Sequence, residues 1–414
     1  MRLSKYINNK LTFSAIDLAS TAAEYGTPAF LYCQDTIERN YNEYKSAFNS
    51  SSNLICYAVK ANSNLSILKL LKNLGSGFDI VSGGELHRVL QIGVDPKKIV
   101  FSGVGKTHVE IEEAVLNNVG SINIESTDEL DLVSEIAEKK KITASVSLRV
   151  NPNVDPKTHP YIATGLKNSK FGVPIERAFE IYQKMHEHKY LKIVGVACHI
   201  GSQLQDLNPF RQAIKEVMQL VYKLENNDVP IQQVDCGGGL GINYSDESKP
   251  RIKELVGIIR CEIPQKYRVI LDPGRSIIGR SGVLVTKVEY IKRGPTKNFV
   301  IVDAAMNDLI RPSLYQAEHE VLPCIIRLEE AEKFDVVGPI CETGDWLAKD
   351  KNFSVKRGDY IAILDVGAYC FSMSSNYNSR PRSIELLIDQ KRDLKVIRKR
   401  ETLAELLMNE IKLI

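Results

Sequence analysis

The sequence predicts an α/β protein made of a (β/α)8 barrel of the TIM type and a C-terminal β-rich domain. Between about residues 35 and 275, short β-prone apolar runs alternate with segments that have the 3.6-residue period of amphipathic helices. Eight strand–helix units over about 240 residues agree with such a barrel in number and in size. After residue 276 the pattern changes to alternating apolar and polar residues punctuated by Gly, Pro and Asp, which indicates a mostly β structure.

Eight runs have the composition of buried barrel strands. In chain order they are ICYAVK (55–60), FDIV (78–81), KIVFSG (98–103), SINIES (121–126), SVSLRV (145–150), IVGVACHIGS (193–202), VDCGGG (234–239) and RVILDPGR (268–275). A doubly wound open sheet is the alternative architecture, but that fold usually carries a Gly-rich fingerprint after its first strand. In this chain the glycine clusters follow the seventh and eighth runs, which favours the barrel.

We place the barrel domain at residues 35–275 and the C-terminal β-domain at 276–414. Residues 1–34 form an N-terminal segment that contributes to the β-domain, because TPAFLYC (27–33) has the composition of a strand and a closed barrel has no free edge to receive it. Strand-like segments of the β-domain itself are VLVTKVEYIKRG, KNFVIVDA, EKFDVVGPI, DYIAILDVGAY and RSIELLI.

Composition and charge exclude several classes of protein. The 414 residues are 43% hydrophobic and 25% charged, which is ordinary for a globular protein, and a net charge of +3 is too small to indicate a nucleic-acid partner. The sequence shows neither a secretory signal nor a run of about 20 apolar residues, so no membrane partner is expected. The eight cysteines include no CxxC pair, which argues against a metal site and against a disulfide framework. We therefore expect a cytoplasmic protein with reduced thiols.

Lys60 is the first candidate for chemistry, because it ends the apolar run ICYAVK. A lysine at the tip of a buried strand lies near low-dielectric surroundings, where its pKa can fall enough to supply a neutral amine for imine formation. The alternative is a lysine that merely ends a strand and points to water.

Polar and glycine residues gather at the C-terminal ends of the eight runs. They are Lys60, Asp79, Ser82, Ser102, Glu125, Asn151, His199, Ser202, Gly237 to Gly239, Asp272 and Arg275. On a barrel these positions converge on one face, and that face carries the active sites of such barrels.

Two glycine-containing loops predict a phosphate site. CGGGLGI (236–242) begins at the end of the seventh run. LDPGRSI (271–277), with Gly274 and Arg275, begins at the end of the eighth. Glycines let backbone N–H groups approach an anion closely, and barrels commonly bind phosphate after these two strands. A nucleotide-binding P-loop is excluded because no GK[ST] follows, while a Gly-rich turn without a ligand stays an alternative.

His199 and Ser202, both in HIGSQ (199–203), end the sixth run on the same face as Lys60. A reactive lysine, a phosphate cradle and a planar histidine in one barrel mouth indicate a phosphorylated aldehyde cofactor bound as a Schiff base. Pyridoxal 5'-phosphate (PLP) fits all three, because it needs a lysine, a phosphate anchor and contacts to its ring.

The motifs of the chain also carry a family resemblance. YAVKAN, SKFGV (169–173), HIGSQ, GGGLGI, DPGRSI, RPSLY (311–315), CETGD (341–345) and GAYCFSMSSNYNSRPR (367–382) occur in this order over nearly the whole chain. Together they resemble the motif set of the diaminopimelate decarboxylase family, which belongs to the alanine-racemase-like, fold-type III group of PLP enzymes.

For the cofactor, the resemblance implies that Lys60 forms the Schiff base, that His199 stacks on the ring and that Asp79 contacts the lysine region. The implied phosphate ligands are Ser202, Gly238, Gly239, Gly241, the backbone of 273–275 with Gly274 and Arg275, and Tyr369 from the other subunit. Asp272 would pair with the pyridine nitrogen. Relatives usually have Glu there, so the shorter Asp requires a shift of backbone or cofactor, or a bridging water.

For the substrate, the resemblance implies that Cys341 is the acid that reprotonates the carbanion after CO2 has left. Arg275, Arg311 and Tyr315 would hold the distal carboxylate of the substrate, Glu342 its distal ammonium group, and Tyr369 would also face the substrate. Lys60, His199 and Cys341 are thus the implied catalytic residues.

The implied reaction is the decarboxylation of meso-2,6-diaminopimelate to L-lysine and CO2, the last step of lysine biosynthesis, by a homodimer with shared active sites. The alternatives are a decarboxylase of another basic amino acid or carboxylated polyamine, of the ornithine type, and a non-catalytic PLP-binding barrel protein. Ornithine has no distal carboxylate, so Arg275 and Arg311 would be left without their partner at a cost, which argues against it.

Overall fold

The structure is a computed structural model that describes residues 3–48, 52–155, 159–162, 164–165, 169–244 and 251–411. Its contacts divide the chain into two compact units. The described parts of Met1–Arg39, Tyr244–Asp246 and Ile277–Ile414 form a β-rich unit, and those of Asn40–Asn243 and Glu247–Ser276 form a barrel unit. Within the described ranges, no helix has both the length and the apolar composition that a bilayer crossing requires.

The N-terminal segment begins with a small antiparallel sheet of β1 (Ser4–Ile7), β2 (Lys10–Phe13) and β3 (Ile16–Asp17). Helix α1 (Leu18–Tyr25) follows, and Asp17 caps it by accepting the backbone N–H of Ser20 at 3.1 Å. Strand β4 (Ala29–Cys33) is then buried at every position, as its unbroken apolar composition predicts.

The predicted barrel is confirmed. Its strands are β5 (Leu54–Ala58), β6 (Gly77–Ile80), β7 (Ile99–Phe101), β8 (Ser121–Ile124), β9 (Ala144–Asn151), β11 (Leu191–Ala197), β12 (Gln233–Asp235) and β13 (Arg268–Leu271), and the short β10 (Val173–Pro174) pairs with β9. Neighbouring strands are parallel, and the pairings β13–β5 and β8–β9 close the cylinder. Each predicted run overlaps one of these eight strands.

The last three runs extend beyond the C-terminal ends of the strands that they overlap. Strand β11 ends at Ala197, β12 at Asp235 and β13 at Leu271, so His199, the triple glycine and Asp272 all lie in loops. Their backbone groups bond between loops instead of continuing a ladder, as described below.

The barrel helices begin soon after the strands, and side chains cap several of them. In chain order the helices are α2 (Gln34–Phe48), α3 (Leu65–Leu74), α4 (Gly83–Gln91), α5 (His108–Leu116), α6 (Thr127–Lys140), α7 (Ile175–Glu187), α8 (Asn208–Glu225), α9 (Ile252–Glu262) and the short α10 (Arg275–Ile278). Asn64, Ser82, Thr107 and Ser126 each accept a backbone N–H of the first turn of α3, α4, α5 and α6. These caps fix where the loops at the barrel mouth end.

The β-rich unit is built on a long mixed sheet. Its elements are β14 (Gly282–Arg293), β15 (Asn298–Val302), α11 (Arg311–Tyr315), β16 (Val321–Pro323), β17 (Glu332–Val337), β18 (Trp346–Phe353), β19 (Tyr360–Leu364), β20 (Ile384–Ile388), β21 (Leu394–Arg398) and α12 (Leu403–Leu406). The sheet order is β18-β17-β15-β14-β4-β20-β21, and β4 runs antiparallel to β14 and parallel to β20. Leu31 of β4 is packed with Val283, Ala362 and Leu386 in the core of this unit.

Candidate active site

Lys60 lies in a single 3-10 turn, Val59–Ala61, directly after β5. Its Nζ donates to Oδ2 of Asp79 at 2.5 Å, and Asp79 is 1% exposed near the end of β6, where it is the register partner of Ala58. About a third of the Lys60 side chain is accessible to solvent. The lysine therefore opens to the barrel mouth while a buried carboxylate fixes its ammonium group.

His199 follows β11, and its ring is oriented by the backbone of the glycine loop. The backbone N–H of Gly238 donates to Nδ1 at 3.1 Å, which places the ring proton on Nε2. Burial lowers the pKa of His199 well below 6.5, and the positive charges of Arg149 and Lys60 lower it further. The imidazole is thus neutral, with one tautomer selected.

Two of the loop glycines are required by conformation and by space. Gly237 and Gly239 have φ angles of +70° and +96°. A Cβ atom at Gly239 would lie 2.1 Å from the carbonyl oxygen of Gly201, and one at Gly237 would lie 2.6 Å from that of Cys198. Close packing against the loop after β11 therefore demands glycine here, in addition to any anion that these N–H groups bind.

The loop after β11 is bonded to the glycine loop by backbone and side chain alike. Leu204 donates its N–H to Gly239 O at 2.8 Å and accepts the N–H of Gly241 at 3.0 Å. The Gln203 amide donates to Ile242 O at 2.6 Å and accepts the Ile242 N–H at 3.2 Å. Gln203 was not among the predicted site residues, although it completes the HIGSQ motif.

Ser202 and Arg275 lie together at the predicted phosphate position. Nη2 of Arg275 donates to Oγ of Ser202 at 3.1 Å, and Arg275 is buried at the start of α10. The preceding Pro273 accepts the N–H of Ala58 at 3.2 Å, which ties this loop, with Gly274, to the end of β5. A guanidinium, a hydroxyl and glycine-loop N–H groups are suitable partners for a phosphate.

The carboxyl groups of Asp79, Asp235 and Asp272 form a buried cluster near Lys60. Burial, together with the charges of Asp79 and Asp235, raises the pKa of Asp272 well above 3.8. Burial likewise raises the pKa of Asp235 to about 6, although Asp235 accepts the N–H of Gly237 at 3.0 Å and a proton of Asn123 Nδ2 at 3.0 Å. With Lys60 and Arg149 as the nearby cations, this cluster favours holding a proton on a carboxyl group.

Asp235, Asn123 and Arg149 were missed as site residues. Arg149 Nη1 donates to Glu125 Oε1 at 2.8 Å, and Glu125 Oε2 accepts the N–H of Gly172 at 2.7 Å. Each of the three missed residues lies in a predicted strand run, in VDCGGG, SINIES or SVSLRV. A charged or amide residue within an apolar barrel strand was the signal that could have identified them.

The barrel unit contains a cavity of about 400 Å³, a size suited to a small organic ligand. Lys60, His199, Arg149, Asp235 and Asp272 all contribute to its wall. Oδ1 of Asp272 is buried and has no hydrogen-bond partner in the part of the chain that the structure describes. An amine, a planar neutral ring, a carboxyl group with an unused oxygen and a phosphate cradle are the groups that PLP requires, so the residues fit this cofactor.

In the β-rich unit, Arg311 begins α11 and is 5% exposed. Its Nη1 donates to Tyr244 Oη at 2.7 Å and to His319 Nε2 at 3.2 Å. The hydroxyl of Ser313 donates to Gly344 O at 2.6 Å, so α11 is bonded to the CETGD loop. Tyr315, the last residue of α11, is half-buried.

The CETGD loop presents Cys341 and Glu342 at the surface of this unit. Glu342 bonds to the hydroxyl of Tyr377, and the N–H of Cys341 donates to Asn378 Oδ1 at 3.4 Å. The buried Asp345 holds the loop by accepting the N–H groups of Met306 and Ile340, both at 2.7 Å.

Tyr369 has a φ of +57°, an uncommon conformation for a tyrosine that places it at a sharp turn in GAYC.

The structure divides the predicted site residues between the two units. The barrel unit brings together Lys60, Asp79, His199, Ser202, Gly238, Gly239, Gly241, Asp272, Gly274 and Arg275, and the β-rich unit carries Arg311, Tyr315, Cys341, Glu342 and Tyr369. All eight cysteines are free, and Cys341 is one of the exposed ones.

The comparisons with known proteins match first the barrel region and then nearly the whole chain. Residues 34–279 match the family model of the pyridoxal-dependent decarboxylases, pyridoxal binding domain. Over its full length the chain is similar to the diaminopimelate decarboxylase of Vibrio cholerae, with 46% identity over 401 residues that cover 96% of each chain.

Two solved structures are similar to this chain over nearly its whole length. The diaminopimelate decarboxylase of Helicobacter pylori complexed with L-lysine has a TM-score of 0.91 and 45% identity, and the match covers 94% of this chain and 98% of that one. The enzyme of M. jannaschii in complex with L-lysine has a TM-score of 0.93 and 39% identity, with coverage of 99% and 98%.

Proposed function

The chain belongs to the diaminopimelate decarboxylase family of pyridoxal-dependent decarboxylases, and we propose that it converts meso-2,6-diaminopimelate to L-lysine and CO2 with PLP as its cofactor, the last step of lysine biosynthesis. The observation that carries this proposal is the barrel cavity in which Lys60, His199 and the unpartnered Oδ1 of Asp272 lie together.

The cofactor, when bound, supplies an electron sink for the pair of electrons that CO2 leaves behind. Lys60 is the residue that attaches to the cofactor, and Asp79 orients its amine through the 2.5 Å contact. His199 offers a neutral ring face, because its Nδ1 is engaged by Gly238 and its charged form is disfavoured by burial. Asp272 is the residue that would hold the pyridine nitrogen.

The aspartate at position 272 suits this role despite being shorter than the glutamate that is usual in the family. Burial and two neighbouring carboxyl groups raise its pKa, so Asp272 retains a proton readily. Its Oδ1 faces no other hydrogen-bonding group among the described residues. Asp272 would pair with the ring nitrogen directly or through one water.

The phosphate would be held by Ser202, by Gly239 and by the segment 273–275. The N–H groups of the predicted ligands Gly238 and Gly241 already donate to His199 Nδ1 and to Leu204 O, so these two glycines shape the loop. Arg275 reaches Ser202 already, which concentrates positive charge at this position. Gln203 and Leu204 fix the glycine loop against its neighbour, so the loop needs no rearrangement to accept an anion at Gly239.

The residues of the β-rich unit, together with Arg275, act on the substrate. Cys341 delivers the proton to the carbon that lost CO2, Glu342 binds the distal ammonium group, and Arg275, Arg311 and Tyr315 bind the distal carboxylate. We further propose a homodimer in which Cys341, Glu342 and Tyr369 of the partner subunit complete each site. Exposure of Cys341 and Glu342 on the single chain is consistent with that role.

The test is the release of CO2 by the PLP-loaded protein from meso-diaminopimelate, with ornithine, arginine and L-lysine as competing substrates. We expect release from diaminopimelate alone, with one L-lysine formed per CO2. Faster release from ornithine would identify a decarboxylase of another basic amino acid, and a bound cofactor without any CO2 would identify a non-catalytic PLP-binding protein.

A further inference from the structure

The guanidinium of Arg311 is held from one side by two hydrogen-bond acceptors. Nη1 donates to Tyr244 Oη at 2.7 Å and to His319 Nε2 at 3.2 Å, and the guanidinium also lies over the Tyr244 ring at 4.9 Å from its centre. Nε of Arg311 is buried without a hydrogen-bond partner among the residues described. The contacts of the side chain are thus concentrated on Nη1 and on one face.

The partners of His319 define its tautomer. Nδ1 lies 2.9 Å from the carbonyl oxygen of Leu364, which can only accept, so Nδ1 carries the proton. Arginine can only donate, so Nε2 must offer its lone pair. His319 is therefore a neutral ring with both nitrogens engaged, and it is 2% exposed.

The tyrosine and the histidine support each other. Their ring centres are 5.2 Å apart at an angle of 75°, an edge-to-face contact. Tyr244 follows the glycine loop in sequence, and His319 lies between α11 and β19. The two rings thus pack against each other, and Tyr244 Oη and His319 Nε2 both accept from Arg311.

We propose that His319 and Tyr244 are positioning residues that orient Arg311 toward the distal carboxylate and so determine the preference for ligands that carry it. This inference rests on the proposed function, through the role of Arg311. A guanidinium whose rotamer is already fixed loses less conformational freedom on binding a carboxylate than a free one.

The experiment compares two ligands of the PLP-loaded enzyme that differ by this carboxylate. L-lysine retains it, whereas cadaverine has the same chain and both amines without it. In His319→Phe, which keeps an aromatic ring but removes the acceptor, we expect the inhibition constant of L-lysine to rise about tenfold or more, in the range for losing a charged contact. The constant of cadaverine should stay within about twofold, and the KM of diaminopimelate should rise more than kcat falls.

Three further variants separate positioning from folding. His319→Gln can place an amide oxygen near Arg311 and should recover part of the L-lysine affinity. Tyr244→Phe keeps the ring and removes only the hydroxyl, so it should weaken L-lysine selectively, and it decides the matter if His319→Phe does not fold. His108→Phe, at an exposed position on α5, is the matched control and should change neither constant.

Equal weakening of L-lysine and cadaverine would show a merely structural role, and unchanged L-lysine affinity in both His319→Phe and Tyr244→Phe would overturn the inference. Failure of the proposed function has a different signature, because the wild-type enzyme would then release no CO2 from diaminopimelate.

Discussion

Lys60 is the residue on which the chemistry depends, since it is the amine that opens to the barrel cavity. Lys60→Ala is expected to lower CO2 release at least about 100-fold, because the cofactor loses its covalent attachment and its catalytic amine. The measurements are CO2 release and the amount of protein-bound cofactor after borohydride reduction. Lys69→Ala, at an exposed position on α3, is the control and should behave as wild type. A Lys60→Ala protein with normal turnover and a reducible adduct would remove Lys60 from the mechanism.

His199 has a pH signature because it is neutral in the folded protein. The unfolded chain binds a proton at this residue below a pH of about 6.5, whereas the folded chain binds it only at much lower pH. The free energy of unfolding therefore falls as the pH decreases below 6.5, and lowering the pH by one unit costs about 1.4 kcal/mol from this group.

His199→Asn removes that titration while keeping an acceptor for the Gly238 N–H. Between pH 6.5 and 5.5 we expect wild type to lose about 1 kcal/mol more free energy of unfolding than the variant does. Urea unfolding of the cofactor-free proteins at the two pH values measures the difference. Equal losses would mean that the folded protein protonates His199 as easily as the unfolded chain does.

At the scale of elements, the loops after β11 and β12 behave as one structure. The side-chain amide of Gln203 adds two bonds to those between the backbones of Leu204 and the glycine loop. These bonds fix the glycine loop, which would otherwise have to be ordered when phosphate binds.

Gln203→Leu should weaken PLP binding about tenfold, because two hydrogen bonds to Ile242 are lost and the glycine loop is no longer fixed. A titration of the cofactor-free protein followed by absorbance gives the affinity, and kcat at saturating PLP should change less. Gln205→Leu is the matched control, since Gln205 is exposed two residues away. Similar PLP affinities for the two variants would show that the amide of Gln203 does not hold the loop.

At the scale of the whole molecule, the proposed dimer has two composite sites. Lys60 and His199 of one subunit would act with Cys341, Glu342 and Tyr369 of the partner subunit. A two-fold dimer then needs residues from both chains at each site, and homodimers of Lys60→Ala or of Cys341→Ala should both be nearly inactive.

Mixing these two variants should restore activity. In a mixed dimer one site collects both defects and the other collects neither. If subunits exchange freely, roughly half of the dimers are mixed and each has one intact site, so about a quarter of the wild-type rate of CO2 release should return. The experiment co-expresses the variants with different tags; the unsorted mixture should show about a quarter of the wild-type rate, and the purified heterodimer about half. No recovery in a proven heterodimer would place each site within one chain.

The barrel could be read from the sequence because strand runs depend on near neighbours. Apolar β-prone stretches such as ICYA at β5 and FDI at β6 indicate a buried strand within a few residues. The helices between them are indicated equally locally, by their apolar period and their capping residues. The order of the motifs also placed Lys60, His199, Asp272 and the glycine loop at the ends of strands, and parallel strands bring such ends to one face.

Only the tertiary structure decided the electrostatics and the support of these groups. The bond between Asn123 and Asp235 joins residues 112 positions apart, and that between Arg311 and Tyr244 joins residues 67 positions apart. No local pattern encodes such pairs, because they depend on which distant segments of the chain come together when each unit folds. Burial acts in the same way, since the raised pKa of Asp272 and the lowered pKa of His199 arise from loss of water and from charges that the chain assembles only when folded.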